Sequence, residues 1–180
     1  ILLTREHDIN QPIKEKVDKA ISLNPDVFVS LHINHSPTSS KNGFELLIGN
    51  NQTSLEKENR ILGSMISHEL KKIYTTSGLI KQSERNKVYV LDAPQINYPT
   101  VLIECGYLSN EKDLAFLSSR ANKKKLAQAL LNALRNYIAE KNAHTSVQPV
   151  PLPEDTSGGQ VVTLKASAYE YQSNPERQPN

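Results

Sequence analysis

The sequence predicts an α/β layered domain with an open, largely parallel sheet flanked by helices. Two observations carry that prediction. Short apolar runs of strand length alternate with longer stretches of helical periodicity across residues 1–141. The most apolar run, Val27-Phe28-Val29-Ser30-Leu31, is nearly unbroken, the pattern of a strand covered on both faces.

Taken in order, Ile1 to Thr4 reads as a short apolar strand. Pro12 suits the first position of a helix, and Ile13, Val17, Ala20 and Ile21 form one apolar face of it. Asn24-Pro25 stops that helix, since proline disfavours a helical residue before it. The Val27–Leu31 strand follows, then a strand from Gly43 to Ile48. Leu55, Leu62, Met65, Ile66, Leu70 and Ile73 mark a long amphipathic helix ending near Gly78. Val88 to Leu91 and Thr100 to Ile103 read as two more strands, separated by a loop with Pro94 and Pro99. A last helix carries Leu126, Leu130, Leu131, Leu134, Tyr137 and Ile138 on one side, with Asn110 a natural N-cap for a segment starting at Glu111. No internal repeat is visible.

A chain of 180 residues suffices for one domain with a real core and some extra length. The extra length lies at the end. Five of the ten prolines fall after residue 142, and alternating proline cannot feed a helix, so residues 142–180 read as a Pro-rich linker or tail. Within it Val161 to Leu164 is a strand-like piece. The domain boundary is therefore drawn at 141.

Residues 1–141 hold 19 basic and 15 acidic side chains, and the tail holds 2 and 4. That surplus is too small to argue for nucleic acid, and no basic stripe is interleaved with aromatics. No stretch reaches the roughly 20 apolar residues of a membrane span. The single cysteine excludes an internal disulfide and a Cys-rich zinc module. The opening Ile1-Leu2-Leu3 reads as the inside of a longer envelope protein with further domains.

In open α/β sheets, sites gather beyond the carboxyl ends of parallel strands. One strand here ends Ser30-Leu31-His32-Ile33-Asn34-His35, and another ends Val101-Leu102-Ile103-Glu104-Cys105-Gly106. If the two are parallel neighbours, His32 and Glu104 share one edge, a pairing suited to a metal ligand and a general base. Taken singly, a strand-end histidine serves as readily as a hydrogen-bonded structural residue. Glu104 is more telling, because a carboxylate directly after Val-Leu-Ile is costly to desolvate unless it meets a cation or donors. Cys105 invites a nucleophile reading, but successive strand residues point to opposite faces, and a buried small hydrophobe is the simpler account. His35 and the run Lys123-Lys124-Lys125 read as solvated, the lysines with a weak attraction to an anionic polymer as the alternative. Asn34 is either a turn residue or a substrate contact, and Glu45 either a solvated strand carboxylate or a brace for the site floor.

Asp26-Val27-Phe28-Val29-Ser30-Leu31-His32-Ile33-Asn34, Gly43-Phe44-Glu45, Val90-Leu91 and Pro99-Thr100-Val101-Leu102-Ile103-Glu104-Cys105-Gly106-Tyr107-Leu108-Ser109-Asn110 together resemble the zinc-dependent N-acetylmuramoyl-L-alanine amidases of the amidase-3 type. Thr4-Arg5 with Asp8, and Asp113 with Leu117, extend the resemblance over roughly residues 1–140 in unbroken order. It implies a zinc-exopeptidase-like, amidase-like layered domain. It also implies one zinc ion held by two histidines and a glutamate, with a position left open.

His32 matches the second of those histidines. Glu104 matches the catalytic glutamate, which takes a proton from the attacking water and passes it to the leaving amine. Asn34 and Glu45 are then the substrate-binding candidates. The implied substrate is peptidoglycan, cut between N-acetylmuramic acid and the L-alanine of the stem peptide, in the periplasm or elsewhere in the cell envelope or outside the cell. The family's first histidine and its glutamate ligand are expected upstream of residue 1. Lys16 stands where an arginine is frequent, and Lys81 to Glu84 where an Arg-Gly pair is common. Two rival readings accompany this one: a non-catalytic peptidoglycan-binding relic of the same fold, and a zinc carboxypeptidase or aminopeptidase of related architecture.

Overall fold

Four strands and five helices make up the described part of the chain, in a computed structural model that describes residues 1–49, 53–81 and 88–145. The elements in order are α1 (Ile13–Leu23), β1 (Phe28–Asn34), β2 (Phe44–Ile48), α2 (Thr53–Lys71), β3 (Thr76–Lys81), α3 (Tyr89–Asp92), β4 (Thr100–Tyr107), α4 (Glu111–Ser118) and α5 (Arg120–Thr145). The tail from residue 146, including Val161 to Leu164, lies outside the described residues, as does Lys81 to Glu84 apart from Lys81.

The strands form an open sheet in the order β1-β4-β2-β3. β1 and β4 are parallel, β2 and β3 are parallel, and β4 meets β2 antiparallel, so the parallel pairs run in opposite directions. Alternation along the strands separates two apolar layers. On one face Phe44, Leu46, Ile48, Val101 and Ile103 pack against Leu62, Ile66 and Leu70 of α2 and Ala129, Ala133 and Tyr137 of α5. Burying each large aliphatic side chain there contributes roughly 1.5–3 kcal/mol. On the other face Leu102 packs with Val17 and Ala20 of α1, Val90 and Leu91 of α3, and Tyr98. Helices thus cover both faces.

Several local expectations are corrected. Ile1 to Thr4 forms no strand; Ile1, Leu2 and Leu3 are exposed and have no ladder partner among the described residues. Val88 to Leu91 turns into α3, with the Val88 N–H donated to the Asp92 carboxylate at 3.2 Å. An apolar run that short does not distinguish strand from helix by period. α2 stops at Lys71, and Gly78 lies inside β3, whose Thr-Ser-Gly start hides it from an apolar pattern. β1 is not covered on both faces: it is an edge strand here, and Leu31 and Ile33 are exposed. In α1, Pro12 sits one residue before the helix, Asn24 caps its end in the left-handed region at φ 43°, and Ile13 points to solvent. In α5 Ile138 is exposed beside the buried Tyr137, and the helix runs on to Thr145.

Asp113 ties this arrangement together. It is fully buried at the first turn of α4 and accepts hydrogen bonds from the Gly43 N–H at 2.9 Å, the Tyr107 N–H at 2.8 Å and the Tyr74 hydroxyl at 2.7 Å. Asn110 caps the same turn, its side chain accepting from the N–H groups of Lys112 and Asp113. Gly106, at φ 115°, lets the chain pass close to this carboxylate; a Cβ there would lie 3.0 Å from Asp113 Oδ2.

Candidate active site

The register of β1, β4 and β2 creates one row of chemistry. His32 on β1 is the direct partner of Glu104 on β4, and Glu104 is in turn the direct partner of Glu45 on β2. Directly paired residues share a face, so the three side chains line up across three neighbouring strands, each about 4.7–4.9 Å from the next. This face is the one carrying Leu102, opposite the layer that holds Cys105.

His32 is exposed, and its Nε2 lies 3.0 Å from Ser30 Oγ, two residues back on the same face. Partial desolvation, and secondly the positive charge of Lys16, hold the imidazole below its ordinary range. The neutral ring, which is the form that binds metals, is therefore favoured.

Glu104 is half-buried, and its Oε2 is buried without a hydrogen-bond partner. Burial, and secondly the charge of Glu45, push its carboxyl above the ordinary value. An unpaired buried oxygen of this kind costs stability, which singles the position out. Tyr107 turns its phenol towards Glu45, and burial together with that carboxylate raises the phenol's pKa.

Asn34 ends β1, and its carboxamide oxygen accepts the His35 N–H at 2.7 Å, so half of its polar capacity is spent on its own turn. The loop after β1 is laced to the loop after β4. Leu108 N–H reaches the Asn34 carbonyl at 2.9 Å, Ser36 N–H reaches Ser109 Oγ at 3.1 Å, and Asn110 Nδ2 reaches the Ser39 carbonyl at 2.7 Å. His35 is exposed in this loop and outside the row. Cys105 is buried in the apolar layer on the other face, and burial, then the charge of Glu104, push its thiol up to about 12. That disposes of the nucleophile reading.

The sequence alone did not reveal Ser30 as the partner of His32, although their i, i+2 spacing on a strand was its signal. Tyr107 beside Glu45 was also hidden, since it depends on the turn at Gly106.

A neutral imidazole facing an unpartnered carboxylate oxygen has the donor chemistry of one ligand and a nearby base. Among the described residues, however, no three His, Cys, Asp or Glu side chains converge, and a catalytic zinc takes three protein ligands. His32 and Glu104 alone do not make up such a set.

Comparison with known proteins agrees with this layout. The family description Amidase_3, N-acetylmuramoyl-L-alanine amidase, matches residues 1–136. The chain is 31% identical over 136 residues to the uncharacterised protein YqiI of Bacillus subtilis, covering 74% of this chain and 62% of that one. It is 28% identical over 137 residues to the N-acetylmuramoyl-L-alanine amidase LytC of the same organism, covering 76% of this chain and 26% of LytC. The chain therefore spans about three-fifths and about a quarter of these relatives. Among solved structures, the catalytic domain of CwlV, an N-acetylmuramoyl-L-alanine amidase of Bacillus (Paenibacillus) polymyxa, superposes with a TM-score of 0.65 at 27% identity, covering 77% of this chain and 72% of that one. An α/β sheet flanked by helices, a row of His32, Glu104 and Glu45 at its centre, and a family match over residues 1–136 lead to one assignment: the chain belongs to the Amidase_3 family of N-acetylmuramoyl-L-alanine amidases.

Proposed function

We propose that this chain is the catalytic domain of a peptidoglycan hydrolase that cleaves the amide between N-acetylmuramic acid and the L-alanine of the stem peptide. The family is zinc-dependent and its members act on the cell wall, outside the cytoplasm. The periplasm or another part of the envelope is therefore the compartment we assign to this chain. No helix among the described residues is long and apolar enough to cross a membrane.

The observation that carries the reading is the unpartnered buried oxygen of Glu104 directly opposite His32. A carboxyl held above its ordinary range is suited to take a proton from water and return it to the departing amine. In that reaction water adds to the carbonyl carbon, the C–N bond breaks, and the proton held by Glu104 leaves on the amine nitrogen. His32 would be the ligand this chain offers to a zinc ion, which when bound would polarise the carbonyl as a Lewis acid. Glu45 and Asn34 take the substrate-binding roles. Tyr107 orients the first, and the second offers its amide nitrogen because its oxygen is engaged.

The test compares the chain with and without Glu104→Gln for bound zinc and for stem peptides released from purified peptidoglycan. Release with a new L-alanine amino terminus, lost in Glu104→Gln, supports the reading. A chain that holds no zinc and releases nothing supports the binding relic. Release of single terminal amino acids from plain peptides supports the exopeptidase.

A further inference from the structure

α5 begins with a concentration of charge that its own stability does not ask for. Arg120, Lys123, Lys124 and Lys125 fall within its first six residues, all exposed, and the first turn holds no acidic residue. A helix amino terminus carries partial positive charge and is stabilised by acids, so cations there work against the helix. None of the four takes part in an ion pair among the described residues. α2 packs antiparallel to α5: Glu58 near its start accepts from Tyr137 at 2.6 Å, and Glu69 near its end faces Asn132. The last turn of α2, with the exposed Lys71, therefore lies toward this same end of α5.

We propose that this basic pole is a docking surface for a flexible polyanion of repeating phosphodiesters, of the kind a cell wall carries. Three features select that chemistry. Consecutive helical residues diverge by about 100°, so Lys123, Lys124 and Lys125 fan apart and cannot close on one small anion, whereas a flexible polymer can meet each in turn. Phe116 packs with Phe44 and Tyr74, leaving no exposed ring among the cations to stack a nucleic-acid base. The exposed neighbours Ala121, Ala127 and Gln128 offer no bulky apolar side chain for a lipid surface.

The pole is also well placed. α5 packs on the sheet face that carries Cys105, and the row of His32, Glu104 and Glu45 lies on the opposite face. A polymer held at the pole leaves the row open. The assignment to a wall polymer rests on the proposed function; the polyanion binding itself does not.

The test measures binding of the 180-residue chain to immobilised poly(glycerol phosphate) across a salt series, with a DNA oligonucleotide as a second probe. Lys123→Glu/Lys124→Glu/Lys125→Glu is the test variant, with a circular-dichroism melt beside the natural chain as its check of folding. Lys14→Glu/Lys41→Glu/Lys57→Glu carries the same change in net charge elsewhere. Expected are a log–log salt slope of roughly −2 to −3 for the natural chain, by analogy with counterion release from single strands, and a loss of about tenfold or more in the test variant only. No binding by the natural chain, equal binding by the test variant, or equal loss in both variants overturns the docking surface. Tighter binding to DNA overturns the assigned polymer class. Because binding is read without turnover, a failure here is separate from a failure to release stem peptides.

Discussion

His32 and Glu104 face one another as register partners on adjacent parallel strands, and Glu45 continues the same row from the far side of Glu104. An imidazole, a carboxylate with one unengaged oxygen and a second carboxylate thus lie side by side. Each sits on a different strand, so backbone hydrogen bonds rather than loops fix their spacing.

Replacing Glu104 by glutamine is expected to lower stem-peptide release by about 10²–10⁴-fold, as removal of a general acid–base does. It also has a stability signature. Burial, and then Glu45, raise the folded-state pKa of Glu104 above its ordinary value of 4.5. Its contribution is therefore fully present below that value and lost as pH rises through the raised one. Melting curves should show Glu104→Gln gaining on the natural chain as pH rises above the ordinary value of 4.5, with the gain absent below it. An unchanged difference across that range would mean that Glu104 is not desolvated.

Asp113→Ala leaves the N–H groups of Gly43 and Tyr107 without an acceptor and frees the Tyr74 hydroxyl. Chemical denaturation should show a loss of about 3–5 kcal/mol, since buried hydrogen bonds to a charge are broken and their donors stranded. Tyr74→Phe removes one of these bonds, for about 1–2 kcal/mol at neutral pH.

Tyr74 also predicts alkaline behaviour. Its phenol is pushed up to about 12 by burial, then by its bond to Asp113. The stabilisation held by the protonated phenol is present below pH 10 and declines as pH rises towards 12. The stability gap between the natural chain and Tyr74→Phe should narrow over that window; a constant gap would assign the bond no proton linkage.

Cys105 should resist thiol reagents at pH 8 in the native state, because its thiol is buried and its pKa is raised to about 12. Labelling should follow global unfolding and become rapid in denaturant. Rapid labelling of the folded chain would contradict the packing around β4.

Gly106→Ala is expected to cost about 1–2 kcal/mol for the positive φ alone, and more because the new methyl presses on Asp113. Thermal melts measure it, and a neutral effect would mean that the turn rearranges.

The parts of the site legible in the sequence were those fixed by a strand's own alternation. Val-Leu-Ile before Glu104 marks a buried strand, and Ser30, His32 and Asn34 alternate on another, so an edge shared by His32 and Glu104 follows once the strands are taken as parallel neighbours. Glu45 was harder. Its place beside Glu104 depends on β2 entering antiparallel between β4 and β3, a pairing across 59 residues that no local pattern encodes. β3 was hidden by Thr76, Ser77 and Gly78, and α3 was misread because four apolar-rich residues carry no period. Asp113 looked like an ordinary first-turn acid; its burial comes from contacts with Gly43, 70 residues earlier.

The strand order β1-β4-β2-β3 also has a consequence during biosynthesis. β1 has β4 as its neighbour, and β4 is the last strand of the four to be made, whereas β2 can already pair with β3. At about 5–20 residues per second, the ribosome needs several seconds to travel from the end of β1 at Asn34 to the start of β4 at Thr100. Through that interval Phe28, Val29, Leu31 and Ile33 have no β4 to pair with, so β1 is most exposed to aggregation or chaperone capture until Thr100 to Tyr107 has been made.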